Sequence, residues 1–225
     1  MSTDKKQALS AHLKAIRRML IISVAAVAVL FVLFFYLLCG PLVDFVLAPV
    51  RARGIEVITT SVSEALMMQF KVCLIAAVIA GMPVIIWQIW VFVSPALYPQ
   101  EKRLFATLFF VALLLFVGGV VFCYCLVFPM AIDLFWSAAD GVASTLWSVK
   151  EYFNFVLSFV LPFGLMFELP VVVYMLARRG LVTYEKLARS RKYVILVIAV
   201  IAAILTPPDA VSQCMLAIPM ILLYE

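Results

Sequence analysis

Long stretches without a charged side chain decide what this chain can fold into. Four of them run over 19–38, 72–93, 104–130 and 152–177, the last interrupted by one glutamate. At about 1.5 Å per residue, a helix of this length crosses roughly 30 Å of hydrocarbon. Apolar residues make up 67% of the 225 residues and charged residues only 13%, too few polar groups to cover a soluble domain. The sequence therefore predicts a single all-α, polytopic membrane domain over 1–225.

Two shorter apolar runs, 193–205 and 210–224, are separated only by Thr206-Pro207-Pro208-Asp209. They could form a re-entrant hairpin, or both could span a locally thinned membrane. We prefer two short spans, which gives six transmembrane helices after a polar N-tail over 1–18. That N-tail carries apolar residues at helical spacing among basic ones and predicts an amphipathic helix at the membrane surface.

The basic residues are distributed unevenly between the two sides of such a membrane domain. With six spans, the N-tail and the loops 94–103 and 178–192 share one side and carry most of the 17 lysines and arginines. They are Lys5, Lys6, Lys14, Arg17, Arg18, Lys102, Arg103, Arg178, Arg179, Lys186, Arg189, Arg191 and Lys192. The positive-inside rule then predicts that both termini are cytoplasmic, and a re-entrant pair would give the same orientation. The long loop 39–69, on the other side, is expected to hold a short amphipathic segment.

Glu168 is the charge that interrupts the fourth apolar run. A carboxylate inside a span costs roughly 2.5–3.5 kcal/mol on insertion scales, so it usually faces a cavity, a partner or a transport path. Pro162, Gly164 and Pro170 surround it and predict a kinked helix with freed backbone groups. Glu168 lies ten residues before Arg178, or roughly 15 Å of helix, which predicts a position near mid-membrane. A purely structural, hydrogen-bonded carboxyl is the alternative.

Two other acidic residues lie in loops. Glu101 is the one acidic residue of the stiff, proline-containing loop 94–103, where it could accept a bidentate bond from an arginine or pair locally with Lys102 or Arg103. Asp209 follows two prolines and predicts an N-cap for the last helix, with Gln213 one turn later inside the membrane.

Enzyme signatures are missing from the sequence. We find no metalloprotease, nucleophile-elbow, P-loop or dinucleotide motif, and one histidine with five scattered cysteines does not predict a metal site. The cysteines are expected to be buried free thiols. The chain is therefore expected to be neither an enzyme nor a cofactor protein, and the basic charge follows membrane topology rather than nucleic-acid binding.

Several segments, spread in order over nearly the whole chain, resemble one family, the TatC subunit of twin-arginine protein translocases. They are His12-Leu13 with Ile16-Arg17-Arg18; Phe92-Val93-Ser94-Pro95-Ala96-Leu97-Tyr98 with Glu101-Lys102-Arg103; Tyr124 with Phe128-Pro129; Phe163-Gly164 with Phe167-Glu168-Leu169-Pro170; and Leu205-Thr206-Pro207-Pro208-Asp209 with Ser212-Gln213 and Leu216-Ala217-Ile218-Pro219-Met220.

The resemblance implies a concave bundle of six helices with cytoplasmic termini, the last two short, in the bacterial cytoplasmic membrane. It implies a receptor that binds twin-arginine signal peptides and works with the single-span partners TatA and TatB. Export of folded proteins would be driven by the proton-motive force without a cofactor, within a larger complex that holds several copies of the chain.

The resemblance also implies roles for particular residues. Signal-peptide binding is expected at Glu101, Arg17 and Phe92, with Glu185 as our substitute for a family glutamate whose position is Ala15 here. Glu168 and Gln213 are the expected membrane-buried polar contacts. Contacts with partners or with the outer face are expected at Pro49, Tyr124, Thr206 and Asp209.

Two other functions remain open from the sequence. A proton-coupled small-solute transporter would use Glu168 as its carrier group. A structural scaffold for partner helices would bind no signal peptide by itself. An internal repeat, which many solute transporters show, is not evident in this chain.

Overall fold

The fold is taken from a computed structural model of the chain that describes residues 2–93, 102–139, 147–178, 180, 182–205 and 210–225. The first part is a helical hairpin of α1 (Ser2–Leu37) and α3 (Val62–Val93), joined through α2 (Cys39–Arg51). Phe70 of α3 stacks on Phe31 and Phe35 of α1, with ring centroids 5.8 and 4.7 Å apart. α1 and α3 are therefore antiparallel neighbours, and α2 is the amphipathic segment expected in loop 39–69.

The N-tail is part of α1 in the structure rather than a separate surface helix. Neither proline nor glycine occurs between Ser2 and Leu37, so no residue in this stretch favours a break before the apolar run begins. The amphipathic N-tail predicted over 1–18 is thus the first part of one helix of 36 residues.

The third apolar run forms a continuous rod of three pieces. α4 (Lys102–Phe122) leads into a π-helical turn, Cys123–Val127, and then into α5 (Phe128–Ala139). Pro129 has no N–H to offer the carbonyl of Cys125 four residues earlier, and the Phe128 N–H bonds to Cys123 five residues earlier. The proline therefore explains why the helix widens at this place, and Tyr124 lies within the wider turn.

The fourth apolar run is broken as predicted, into α6 (Val149–Met166) and α7 (Leu169–Arg178). Phe167 and Glu168 form a tight turn between them, in which the Glu168 N–H bonds to the Leu165 carbonyl at 3.1 Å. Pro170 follows at the second position of α7, where its missing N–H costs little. The break interrupts the helix without ending the crossing.

The last two helices, α8 (Tyr184–Leu205) and α9 (Ala210–Tyr224), pack against each other as an antiparallel pair. The Tyr224 hydroxyl donates to the Leu187 carbonyl at 3.0 Å, and Arg191 is paired with Glu225 at 3.1 Å. Both contacts lie where α8 begins and α9 ends. Charged residues occupy the first part of α8, so its apolar part is short, as the sequence predicted.

Among the described residues, four helical segments are long and apolar enough to cross a membrane. They are Leu13–Leu37, Val62–Phe92, Ala106–Ser137 and Val149–Arg178, and Ala210–Tyr224 is a shorter apolar helix. The all-α, polytopic fold class is confirmed. The count of six spans stays a prediction.

A small parallel bridge joins two distant parts of the chain. β1 (Val57–Ile58) pairs with β2 (Trp147–Ser148), with Val57 opposite Trp147. β1 precedes α3 and β2 precedes α6, so the bridge brings the starts of these two helices side by side. We call α2, β1 and β2 the cap. The end of the bundle at which they lie is the cap side, and the opposite end, where α1 begins, is the N-terminal side. Two-residue strands leave no pattern that the sequence analysis could detect.

The core of the bundle is aromatic, and two glycines allow its helices to approach closely. Phe116, Phe159 and Phe163 are fully buried. A Cβ atom on Gly119 of α4 would lie 2.7 Å from the Phe163 carbonyl oxygen, and one on Gly164 of α6 would lie 2.6 Å from the Phe116 ring. These two positions have no room for a side chain, so α4 and α6 touch directly beside the helix break.

The adjacent pair Gly118 and Gly119 tests this contact. We expect Gly119→Ala to lower the free energy of unfolding by about 1–3 kcal/mol, because its methyl group meets backbone. A Cβ atom on Gly118 would have no neighbouring atom within 4 Å, so Gly118→Ala should be neutral or stabilising by up to about 1 kcal/mol. Unfolding of the purified protein in detergent measures both. Equal effects of the two substitutions would contradict the close contact.

Candidate functional site

The Glu168 side chain is half-buried at the turn between α6 and α7. Its Oε1 atom is enclosed and accepts no hydrogen bond from the residues that the structure describes. Pro170 has no N–H for the Met166 carbonyl four residues earlier, which interrupts the hydrogen-bond ladder there, and the Glu168 carbonyl accepts the N–H groups of Val171 and Val172 at 3.1 Å as α7 begins. The backbone carbonyl of Glu168 is thus satisfied, whereas its carboxyl Oε1 atom has acceptor capacity left over.

The depth of Glu168 follows from the helices around it. The Lys71 ammonium group donates a hydrogen bond to the side-chain oxygen of Asn154 at 2.8 Å, so these two residues lie at the same level. Lys71 directly precedes the charge-free run of α3. Glu168 is fourteen residues beyond Asn154, or about 21 Å along the helix, and ten residues before Arg178, or about 15 Å. By these distances Glu168 lies nearer to Arg178 than to Asn154, and its position near mid-membrane stays a prediction.

The chemistry open to Glu168 follows from its surroundings. Phe167 precedes it in the turn and packs against Phe122, with ring centroids 5.6 Å apart, and Gly119 lies against the Phe167 ring. Among the described residues, none donates a hydrogen bond to the enclosed Oε1 atom of Glu168. Glu168 can therefore accept a bond from a donor that arrives from outside this bundle, or donate one when it is protonated.

An apolar groove of about 380 Å³ opens between α2, α3, α6 and the π-helical turn. Aliphatic side chains from α3 and α6, including Ile75, Ile79 and Val160, form much of its wall. Phe45 and Tyr124 line it on the cap side. Such a groove suits an apolar helix or an extended apolar segment rather than a small polar solute.

Pro49 and Tyr124, predicted as outer-face contacts, are linked through one backbone carbonyl. Pro49 lies inside α2 and has no N–H for the Phe45 carbonyl four residues earlier. The Tyr124 hydroxyl donates to that carbonyl at 2.8 Å, and its ring stacks on Phe45 with centroids 4.4 Å apart. The hydroxyl of Tyr152 bonds to the next carbonyl, that of Val46, at 2.8 Å. Two tyrosines thus hold α2 on the bundle.

An ion pair missed by the sequence analysis closes the cap. Arg53 donates from Nε and Nη2 to both carboxylate oxygens of Asp133, at 2.6 and 3.1 Å, and from Nη1 to the Pro49 carbonyl at 2.9 Å. This hydrogen bonding to Asp133 raises the pKa of the Arg53 guanidinium above its usual value. The sequence contained little signal for this pair, since Arg53 was only one of the few basic residues outside the N-tail and the loops 94–103 and 178–192.

Three of the residues predicted to bind a signal peptide, Arg17, Phe92 and Glu185, lie on the N-terminal side of the bundle. Phe70 packs against Phe35, and Gly81 packs against Val27 and Leu30, so the antiparallel register of α1 and α3 brings Arg17 to about the level of Phe92.

Arg17 is exposed there, and so is Glu185 in the first turn of α8, a helix that starts on the same side. Three predicted residues lie outside the described part of the chain, namely Glu101, Thr206 and Asp209. The predicted N-cap, which is Asp209, therefore lies outside it too. Gln213 is engaged within the chain, since its Nε2 donates to the Ala199 carbonyl at 3.1 Å.

The cysteines differ in part from the expected buried thiols. All five are free, and Cys73 and Cys123 are buried, but Cys125 and Cys214 are exposed on the helix surface. Among the described residues, no cluster of histidine, cysteine or acidic side chains could hold a metal ion.

A double-mutant cycle tests the repair of α2 by Tyr124. Tyr124→Phe should lower the free energy of unfolding by about 1 kcal/mol, because the Phe45 carbonyl loses its hydroxyl donor. In a Pro49→Ala background the restored N–H can satisfy that carbonyl, so the same substitution should cost clearly less. Tyr36→Phe, on an exposed tyrosine of α1, is the control. Equal costs of Tyr124→Phe in both backgrounds would refute the link.

The comparisons with known proteins agree with one another. The family model described as "Sec-independent protein translocase protein (TatC)" matches residues 11–219. A TatC protein of Carboxydothermus hydrogenoformans is 39% identical over 223 residues, covering 99% of this chain and 91% of that protein. One of Haemophilus influenzae is 35% identical over 227 residues, covering 100% of this chain and 88% of that protein.

A crystal structure of the twin-arginine translocase receptor TatC matches with a TM-score of 0.88 and 38% identity. The match covers 95% of this chain and 94% of that one. A second crystal structure of this receptor, in the detergent DDM, matches with a TM-score of 0.87 over 95% of this chain. With a family model, relatives and solved structures all aligned over nearly the full length, the chain belongs to the TatC family of Sec-independent protein translocase proteins.

Proposed function

We propose that this chain is the receptor subunit of a twin-arginine translocase, which binds the signal peptides of folded cargo proteins and supports their export. The observation that carries the proposal is the structural match to a twin-arginine translocase receptor over 95% of the chain, at 38% identity. The groove and the unsatisfied carboxyl of Glu168 support it, because both suit an incoming helix that is mostly apolar. A proton-coupled solute transporter receives no support from the relatives, which are protein translocase components.

The orientation that we propose follows from the basic residues. The N-terminal side, with Arg17, Arg18, Arg189 and Arg191, is cytoplasmic, and the cap is on the outer side of the bacterial cytoplasmic membrane. With α8 and α9 both crossing a thinned bilayer, the chain has six spans and both termini inside. The short helices would thin the membrane on one flank of the bundle, which lowers the barrier for folded cargo.

Recognition of the two arginines is proposed for the cytoplasmic end of the bundle. Glu101 would accept a charge-assisted, bidentate bond from one guanidinium, which an ammonium group cannot reproduce. Glu185, exposed in the first turn of α8, is the proposed second carboxylate, since Ala15 stands where the family has a glutamate. Phe92 offers an aromatic face for a stacked guanidinium, and Arg17 lies exposed on the same side of the bundle.

The apolar part of the signal peptide is proposed to follow the groove towards the cap. Glu168 then offers a polar contact within the membrane, either to the inserted signal or to a polar group on a partner helix. Gln213 is a second polar group at membrane depth, although its amide nitrogen already bonds within the chain. In this arrangement Glu168 supports insertion, while the first contact with the arginines is made at Glu101.

The partners that we propose are single-span subunits of the TatA and TatB type. Pro49 and Tyr124, joined through Phe45, hold α2 at the outer end of the groove, where a partner helix could pack. Further contacts with partners are proposed at Thr206 and Asp209, in the segment between α8 and α9 on the outer side of the membrane. Several copies of the chain would share one complex, and the proton-motive force would drive transport without a nucleotide.

Arginine recognition can be tested with two peptides that differ only in their paired residues. The purified chain should capture a twin-arginine signal peptide at least about tenfold better than its twin-lysine version, because a bidentate arginine–carboxylate bond contributes about 1.5–3 kcal/mol. Glu101→Ala should remove most of that difference. Glu151→Ala, on the exposed acid at the start of α6, is the control from the other side of the membrane. Equal capture of both peptides by the unaltered chain would sink the receptor proposal.

The role of Glu168 requires a measurement of stability beside one of export. Glu168→Leu should raise the free energy of unfolding by about 1–3 kcal/mol, because it removes a buried polar group without a partner. The same variant should export a twin-arginine reporter poorly, whereas Glu168→Gln keeps an acceptor oxygen and should retain more export. If the leucine variant were more stable and exported normally, the proposed membrane contact would be wrong.

A further inference from the structure

A second cavity, of about 240 Å³, lies on the cap side between the starts of α3 and α6. Its polar lining consists of Ser61, Ser63, Glu64, Lys71, Lys150 and Asn154. The parallel bridge of β1 and β2 precedes both helices and brings their first turns to the same level. The cavity is small and polar, in contrast to the apolar groove that we assign to the signal peptide.

Two ammonium groups share this cavity. Lys71 donates one of its three N–H groups to the Asn154 side chain at 2.8 Å, which leaves two N–H groups for another acceptor. Lys150 lies in the first turn of α6, where the helix dipole disfavours a positive charge. Two cations confined at the edge of a low-dielectric region repel each other unless an anion lies between them.

The remaining charged group of the cavity is already engaged. Glu64 turns back onto Thr60, whose N–H and hydroxyl donate to its two carboxylate oxygens at 2.8 and 2.5 Å. Its carboxylate also attracts Lys150, so the two lysines together with Glu64 leave the cavity with one more positive than negative charge. The Ser61 and Ser63 hydroxyls add donors beside them. This donor set fits the oxygens of a phosphate group.

The level of the cavity in the membrane favours one source of phosphate. α3 has 32 residues, or about 48 Å, and exceeds a hydrocarbon layer of roughly 30 Å. Lys71 is the last charged residue before the apolar run that begins at residue 72, so its ammonium lies at the hydrocarbon boundary. Lipid headgroups lie at this level, and Met67, Met68 and Phe153 provide the apolar part of the lining.

We propose that this cavity binds the phosphate of an anionic phospholipid headgroup in the leaflet on the cap side, with Lys71 and Lys150 as its cationic ligands. The site is separate from the groove and from Glu168, and it does not depend on signal-peptide binding. Its occupant would join α3 to α6 at the end where the bridge of β1 and β2 already holds them.

Retention of lipid by the purified chain tests the proposal. The protein in neutral detergent is exchanged into a detergent–lipid mixture that contains equal amounts of phosphatidylglycerol and phosphatidylcholine, and native mass spectrometry counts the lipid that stays bound. Phosphatidylglycerol should be retained in preference. Lys71→Gln and Lys150→Gln should each weaken its retention about fivefold, whereas Lys→Arg at either position should preserve it. Arg51→Gln, on an exposed arginine of the cap outside the cavity, should leave it unchanged.

Three results would overturn the proposal. Equal retention of the two lipids would exclude an anionic headgroup site, and retention that survives both glutamine substitutions would exclude the lysines. Thermal stabilisation by millimolar inorganic phosphate that requires both lysines, without preferential retention of lipid, would assign the cavity to free phosphate instead. Lys150→Gln removes a cation from an exposed first turn and should fold normally, so the measurement remains possible if the Lys71 variant is unstable.

Discussion

The fold depends on one constraint: in lipid, each backbone N–H and C=O must find its partner inside the protein. Prolines in the apolar segments make that constraint visible, because each one removes a donor from a helix. At Pro49 the Tyr124 hydroxyl satisfies the Phe45 carbonyl at 2.8 Å. At Pro129 the helix widens into a π-helical turn. At Pro170 the helix breaks, and the Glu168 carbonyl accepts two N–H groups of α7. The response of the chain differs at each of the three prolines, and Tyr124 or Glu168 lies at each place.

These repairs explain why residues far apart in sequence act together. Tyr124 lies in the π-helical turn before Pro129, and it finds an acceptor on α2 because Pro49 has freed one. The Glu168 carbonyl is satisfied by two N–H groups of α7, whereas its Oε1 atom has no partner among the described residues, which leaves the side chain available for another group. Stability and the proposed function are thus separable at Glu168. They are combined at the cap, where the same hydrogen bonds hold α2 and shape the outer end of the groove.

The sequence predicted what local patterns encode and missed what depends on pairing at a distance. The long apolar runs predicted the fold class, and Pro162 and Pro170 predicted a break at Glu168, because composition and backbone chemistry act within a few residues. The contact between Arg53 and Asp133 joins positions 80 residues apart and left no local signal. The close approach at Gly119 and Gly164 was also missed, since a glycine in a helix does not reveal which ring will face it. The N-tail was predicted as an amphipathic helix at the membrane surface, and in the structure it continues into the rest of α1 because no breaker intervenes.

The two ends of the bundle are built differently, and that difference bears on how a signal could enter. On the cap side, two tyrosine hydroxyls, the ion pair of Arg53 with Asp133 and the β1–β2 bridge connect α2, α3, α5 and α6. Around Glu168, aromatic rings and glycines pack without supplying a donor to its enclosed oxygen within the described residues. Because these contacts hold α2 in place, we expect that a donor which reaches this oxygen would not require the cap to rearrange. A signal entering from the N-terminal side would then meet Glu168 before it meets the cap.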